Sequence, residues 1–111
     1  MKLPRADDAI IPAAKLRDYL LSFRHPVGRL KARFFASLGY TEDNWERLAA
    51  DLRSQHLQLD AEETGGSRYG RKFVITGALA GPSGKGATIV SVWVIRTGEE
   101  RPRFVTAYPG E

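Results

Sequence analysis

Ala87-Thr88-Ile89-Val90-Ser91-Val92-Trp93-Val94-Ile95-Arg96 is the stretch that decides the fold class. β-branched and aromatic side chains dominate it, the composition that suits a pleated backbone. Both of its alternating sets are largely apolar, which predicts a central strand covered on each face. Turn signals bound it: Ala80-Gly81-Pro82-Ser83-Gly84-Lys85-Gly86 before and Thr97-Gly98-Glu99-Glu100-Arg101-Pro102 after. Beyond those turns lie two further strand patterns. Lys72 to Leu79 places Phe73, Ile75 and Leu79 on one face, and Arg103 to Tyr108 closes the chain. Leu57-Gln58-Leu59-Asp60-Ala61 alternates weakly and supplies a fourth. Connections this short favour antiparallel neighbours.

Upstream the period changes from strand to helix, and Thr64-Gly65-Gly66-Ser67-Arg68-Tyr69-Gly70 reads as the turn between the two layers. Pro12 suits a first helical position, and Leu16, Tyr19, Leu20 and Phe23 follow at helical spacing. A second helix carries Val27, Leu30, Phe34 and Leu38, with Gly39 as its stop. Thr41 can cap a third, whose buried stripe is Trp45, Leu48, Ala49 and Leu52. The predicted class is α+β: three N-terminal helices packed on a twisted four-stranded antiparallel sheet, in a single domain over residues 1–111.

The 111 residues are enough to bury a core without covalent staples. There is no cysteine, so disulfides, thiolate metal sites and a cysteine nucleophile are excluded. No apolar run approaches the ~20 residues that span a bilayer, and acids stand where a signal peptide needs an apolar stretch. These features fit the cytoplasm and no membrane. Lys and Arg outnumber Asp and Glu by 17 to 13, an excess that suits a polyanionic partner such as RNA.

Chemistry concentrates in His25-Pro26-Val27-Gly28-Arg29-Leu30-Lys31-Ala32-Arg33-Phe34-Phe35. With Pro26 at the first helical position, His25 is the cap residue, and the amides of Val27 and Gly28 are free for an anion. A histidine beside such a site suits acid/base work; alternatively it only ends a loop. Lys31 projects within the stripe of Val27, Phe35 and Leu38, while Arg29 and Arg33 point away. Either its amine snorkels to water or it emerges in a cleft between helix and sheet, where it can neutralise a phosphate.

On the last strand Phe104, Thr106 and Tyr108 share a face by alternation, as do Ser91 and Trp93 on the strand before. Together they suggest a surface that stacks a base and bonds a phosphate, or else a half-exposed sheet face. His56 falls at a helix end, where a cationic histidine has a structural role. Gly84-Lys85-Gly86 lacks the spacing of a phosphate loop. No cluster of His, Asp and Glu has metal-ligand spacing.

Several segments together resemble an uncharacterised family of small bacterial proteins. They are Ala9-Ile10-Ile11-Pro12, Lys15 to Leu21, His25-Pro26-Val27-Gly28, Lys31-Ala32-Arg33-Phe34-Phe35, Leu38-Gly39-Tyr40, Val92 to Ile95 and Arg103 to Pro109. Related domains occur at the C-terminal ends of polymorphic toxins, and free-standing members resemble halves of toxin–antitoxin pairs. The plan of helices followed by sheet is similar to the barnase–EndoU–colicin–RelE type of ribonuclease. Those proteins combine an early His or Lys with a late Thr, Ser, Arg or Tyr on the open sheet face.

The resemblance implies a metal-independent ribonuclease toxin that needs no cofactor and works by attack of the ribose 2′-hydroxyl. His25 is its expected acid or base, and Lys31 stabilises charge. Thr106 and Tyr108 orient the phosphate, while Arg29, Trp93 and Arg103 bind RNA. Its partner is a small antitoxin or immunity protein. The rival reading is a non-catalytic protein-binding module of a toxin–antitoxin or immunity system. Immunity proteins against nucleases often mimic an acidic ligand, and the basic charge of this chain argues against that rival.

Overall fold

The alternation read along the second half of the chain is realised as a meander. A computed structural model describes residues 1–110. Strands β1 (Ala61–Ser67), β2 (Gly70–Ala80), β3 (Gly86–Arg96) and β4 (Arg103–Pro109) lie side by side in chain order, each antiparallel to its neighbour. Three helices precede them. α1 (Ala13–Lys15) runs on through the wider turn Leu16–Leu20, α2 spans Arg29–Ser37, and α3 (Trp45–Asp51) runs on through Leu52–His56. The α+β arrangement is the one the patterning predicts.

One face of the sheet meets the helices. Phe73, Ile75, Ile89, Trp93 and Phe104 pack with Leu16, Leu20, Phe35, Leu48 and Leu52 in one buried cluster. Two-sided apolar character predicted cover on both faces of β3, and here the structure differs. Its other face carries Val90, Val92 and Val94, and the last two floor an open concavity of about 620 Å³, walled by Tyr69, Lys72, Thr106 and Tyr108. Valine packs against its cross-strand neighbours there without a second layer.

Two bulges account for further departures. Thr64–Ser67, expected as a turn between layers, is the second half of β1. The register slips between Glu63 and Gly66, and Gly65 takes a left-handed φ of 57°. An edge strand tolerates such a bulge because only one side must pair. In β4 the register slips opposite Val92 and Trp93. Phe104 therefore faces Trp93 inside, while Thr106 pairs with Val92 and Tyr108 with Val90 on the open face. Strict alternation had put these three on one side.

The helices also bury a different arc from the one expected. α2 presents Ala32 and Phe35 to the core, leaving Val27 and Leu30 63% and 74% exposed. Small side chains let this face approach closely: a Cβ on Gly28 would stand 2.0 Å from the carbonyl oxygen of Tyr19. Phe23, expected to continue the stripe of α1, lies beyond the helix end and is exposed. No helix among the described residues is long and apolar enough to cross a membrane.

His56 is structural, but neutral where a cation was expected. It is fully buried beneath β2; its Nε2 lies 3.2 Å from the carbonyl of Ile75, and its Nδ1 has no partner among the described residues. Burial pushes its pKa below the ordinary value, against smaller opposite effects from the carbonyls of Ile75 and Ala78. The unfolded chain takes up this proton near pH 6.5 and the folded chain only at lower pH. Stability is therefore complete above pH 6.5 and falls as pH drops below it, by at most about 1.4 kcal/mol per pH unit. Urea midpoints between pH 7 and pH 5 should show this slope, and His56→Leu should flatten it.

Candidate active site at the edge of the sheet

The segment after α1 is shaped by its first polar residue. The amides of Val27 and Gly28 each donate to His25 Nδ1 at 3.0 Å. His25 thus caps the helix start with its ring, and the two amides expected to be free for an anion are occupied. The cap also selects the tautomer: with Nδ1 accepting, the proton sits on Nε2. The imidazole is half-buried and stands edge-on against the ring of Tyr19, with centroids 5.0 Å apart.

Tyr19 is the hub. It lies on the wide turn that continues α1, where the amide of Leu21 donates back five residues to the carbonyl of Leu16. Turns of this kind recur at functional sites. Lys31 Nζ donates to the Tyr19 phenol oxygen at 2.8 Å, and that oxygen shares a hydrogen bond with Thr106 Oγ1 at 3.2 Å. The Lys31 and Lys15 ammonium groups stand 5.3 and 5.9 Å from the centre of the ring. Burial pushes the phenol pKa up. The hydrogen bonds to Lys31 and Thr106 and the charges of Lys31 and Lys15 outweigh that, so Tyr19 is held below the usual tyrosine value.

Lys31 therefore does not trail into bulk water, and among the described residues it meets no carboxylate. Its place at the border of the buried arc of α2 aims it at a phenol. Thr106 belongs to both regions: it bonds Tyr19 and also walls the concavity on the open face. Tyr108 stands farther along that wall, 39% exposed. The structure thus gathers His25, Lys31 and Thr106 around Tyr19, with Tyr108 adjoining through the groove.

The residues match the model of a family described as a domain of unknown function, DUF6883, over positions 2–111. The chain belongs to the DUF6883 family. No curated protein matches it. Among solved structures, it is similar to a chain of a contact-dependent growth inhibition toxin–immunity protein complex from Klebsiella pneumoniae 342. The TM-score is 0.62 at 20% identity, covering 91% of this chain and 99% of that one. At that identity the likeness is one of fold.

Two residues expected at the site of this DUF6883 chain, Trp93 and Arg103, lie elsewhere. Trp93 is fully buried and donates from Nε1 to Ser91 Oγ at 2.8 Å, both on the helix-covered face, so it has no surface on which to stack a base. Arg103 Nε donates to Glu99 at 3.1 Å, so its guanidinium is held at the β3–β4 turn. Arg29 is exposed on α2 and joins no ion pair among the described residues. Tyr19 was missed because a tyrosine at helical spacing reads as core. Its signal was chemical: a buried phenol needs a partner, and Lys31 was the one polar group set within an apolar stripe. Among the described residues, no three His, Asp or Glu side chains converge on a common point.

Proposed function

We propose that this DUF6883 protein is a ribonuclease-type toxin that cleaves RNA by attack of a ribose 2′-hydroxyl on the adjacent phosphorus. The observation that carries the reading is the Lys31–Tyr19–Thr106 chain beside His25, opening onto an aromatic-walled groove. The fold it shares with a chain of a toxin–immunity protein complex supports the toxin setting by analogy.

In this reading the reactive form carries Tyr19 as a phenolate held by the Lys31 ammonium 2.8 Å away, and it accepts the 2′-hydroxyl proton while the 2′-oxygen bonds to phosphorus. The bond from phosphorus to the 5′-oxygen breaks, and the leaving oxygen takes a proton from the Lys31 ammonium. The products are a 2′,3′-cyclic phosphate and a 5′-hydroxyl end. Tyr19 then passes its proton to the neutral Lys31 along their hydrogen bond, which restores the starting pair. His25 donates from Nε2, and Thr106 from its hydroxyl, to the non-bridging oxygens, stabilising charge on the phosphorane. Tyr108 and Tyr69 offer faces to a base in the groove, the role first expected of Trp93. The proton inventory uses only side chains of this chain.

Purified protein is expected to cleave mixed-sequence RNA in EDTA. The 3′ fragments should accept phosphate from a 5′-kinase without prior dephosphorylation, and the 5′ fragments should end in cyclic phosphate. Intact RNA across varied substrates, with folded protein free of any partner, would overturn the reading.

A further inference from the structure

The formal charge of +4 has an address. From Tyr19 to Thr41 there is no Asp or Glu, but there are Arg24, Arg29, Lys31 and Arg33. The rest of the chain is balanced, with thirteen cations and thirteen acids. Many of the other charges are paired: Arg5, Arg17, Arg47, Arg71 and Arg103 each meet a carboxylate. Arg24, Arg29 and Arg33 meet none among the described residues.

The same segment carries the apolar side chains the fold leaves out. Phe23, Val27 and Leu30 are 53%, 63% and 74% exposed, three of the most exposed large hydrophobics within eight residues of chain. With the ~100° spacing of α2 carried back through the turn before it, Val27 and Leu30 fall on one arc, between Lys31 and Arg33. Exposed apolar side chains rimmed by unpaired guanidiniums are the composition of an interface core with its arginine-rich surround.

We infer that this surface docks an acidic protein, one presenting apolar side chains flanked by carboxylates. A nucleic acid satisfies the arginines but leaves Val27 and Leu30 in water, because aliphatic groups offer it neither a hydrogen bond nor a π face. A second copy of the chain brings like charge against like charge. Seated on Leu30, the partner lies one residue from Lys31, so under the ribonuclease reading it blocks the Tyr19 cluster. The docking itself does not depend on that reading.

The test uses nitrogen-15-labelled full-length protein and four probes: an amphipathic helical peptide of leucine and glutamate, poly-glutamate, oligouridylate, and phosphatidylglycerol vesicles. The peptide should shift amide signals of residues 23–33. Its affinity should exceed that of poly-glutamate about tenfold, and Leu30→Asp should weaken it about tenfold, as loss of a central apolar anchor does. Leu30 is exposed, so that variant keeps its melting temperature. Three results overturn the proposal: no shift in residues 23–33 at millimolar peptide, equal binding of peptide and poly-glutamate, or a Leu30-dependent response to RNA or vesicles alone. RNA cleavage by the free protein is scored separately, so failure of the surface and failure of the enzyme are distinct outcomes.

Discussion

Lys31→Met should abolish RNA cleavage while the melting temperature stays within a few degrees of wild type. Methionine keeps most of the apolar stem along α2 and removes the ammonium that donates to Tyr19. Two effects then combine: the phenol loses its principal cationic hydrogen-bond donor, and the leaving oxygen loses its acid. Loss of an acid/base group lowers rates by about 10²–10⁴-fold, and the two roles share one residue here. Because no carboxylate among the described residues pairs with Lys31, removing it strands no buried charge there, and the large penalty of breaking a buried ion pair does not arise. Tyr19→Phe should match it, leaving the 5.0 Å packing on His25 in place. Full cleavage by a folded Lys31→Met protein would remove Lys31 from the mechanism.

Gly28→Ala should give a large structural effect. Its backbone, φ −73° and ψ −22°, is ordinary helix, where alanine is normally favoured by roughly 0.5–1 kcal/mol. The contact reverses the sign, because the new Cβ would stand 2.0 Å from the Tyr19 carbonyl oxygen and 2.8 Å from its carbon, both backbone atoms. Neither can swing away, so α2 and the turn carrying Tyr19 must separate. Overpacking of this kind costs about 1–3 kcal/mol, or roughly 5–15 °C in Tm for a domain of this size. Separation also lengthens the Lys31–Tyr19 bond. Gly28→Ala should therefore lose activity even below its melting temperature, unlike an exposed substitution such as Leu30→Asp.

Strands β2 and β3 were legible because each buries one alternating set against helices, and burial writes itself into the pattern; β4 was legible from its β-forming composition and the turn before it. β1 was not, because its bulge needs Gly65 and Gly66, and a glycine pair reads as a turn. The open-face position of Thr106 and Tyr108 was hidden by the slip in β4, since one extra residue inverts every later side chain. His25, Lys31 and Thr106 were found as residue types with chemical reasons to be where they are. The same reasoning misplaced Trp93 by trusting alternation across that slip. It also read Val27 and Leu30 as core, since helical spacing marks an apolar arc without saying which part of it is covered.

Confining the formal excess charge to Tyr19–Thr41, with the rest of the chain balanced, makes the distribution of charge uneven. In the field of a polyanion such a body experiences a torque before it makes contact, so it arrives already turned. Encounters then depend on ionic strength through orientation as well as attraction, weakening as added salt shortens the screening length, about 8 Å at 0.15 M.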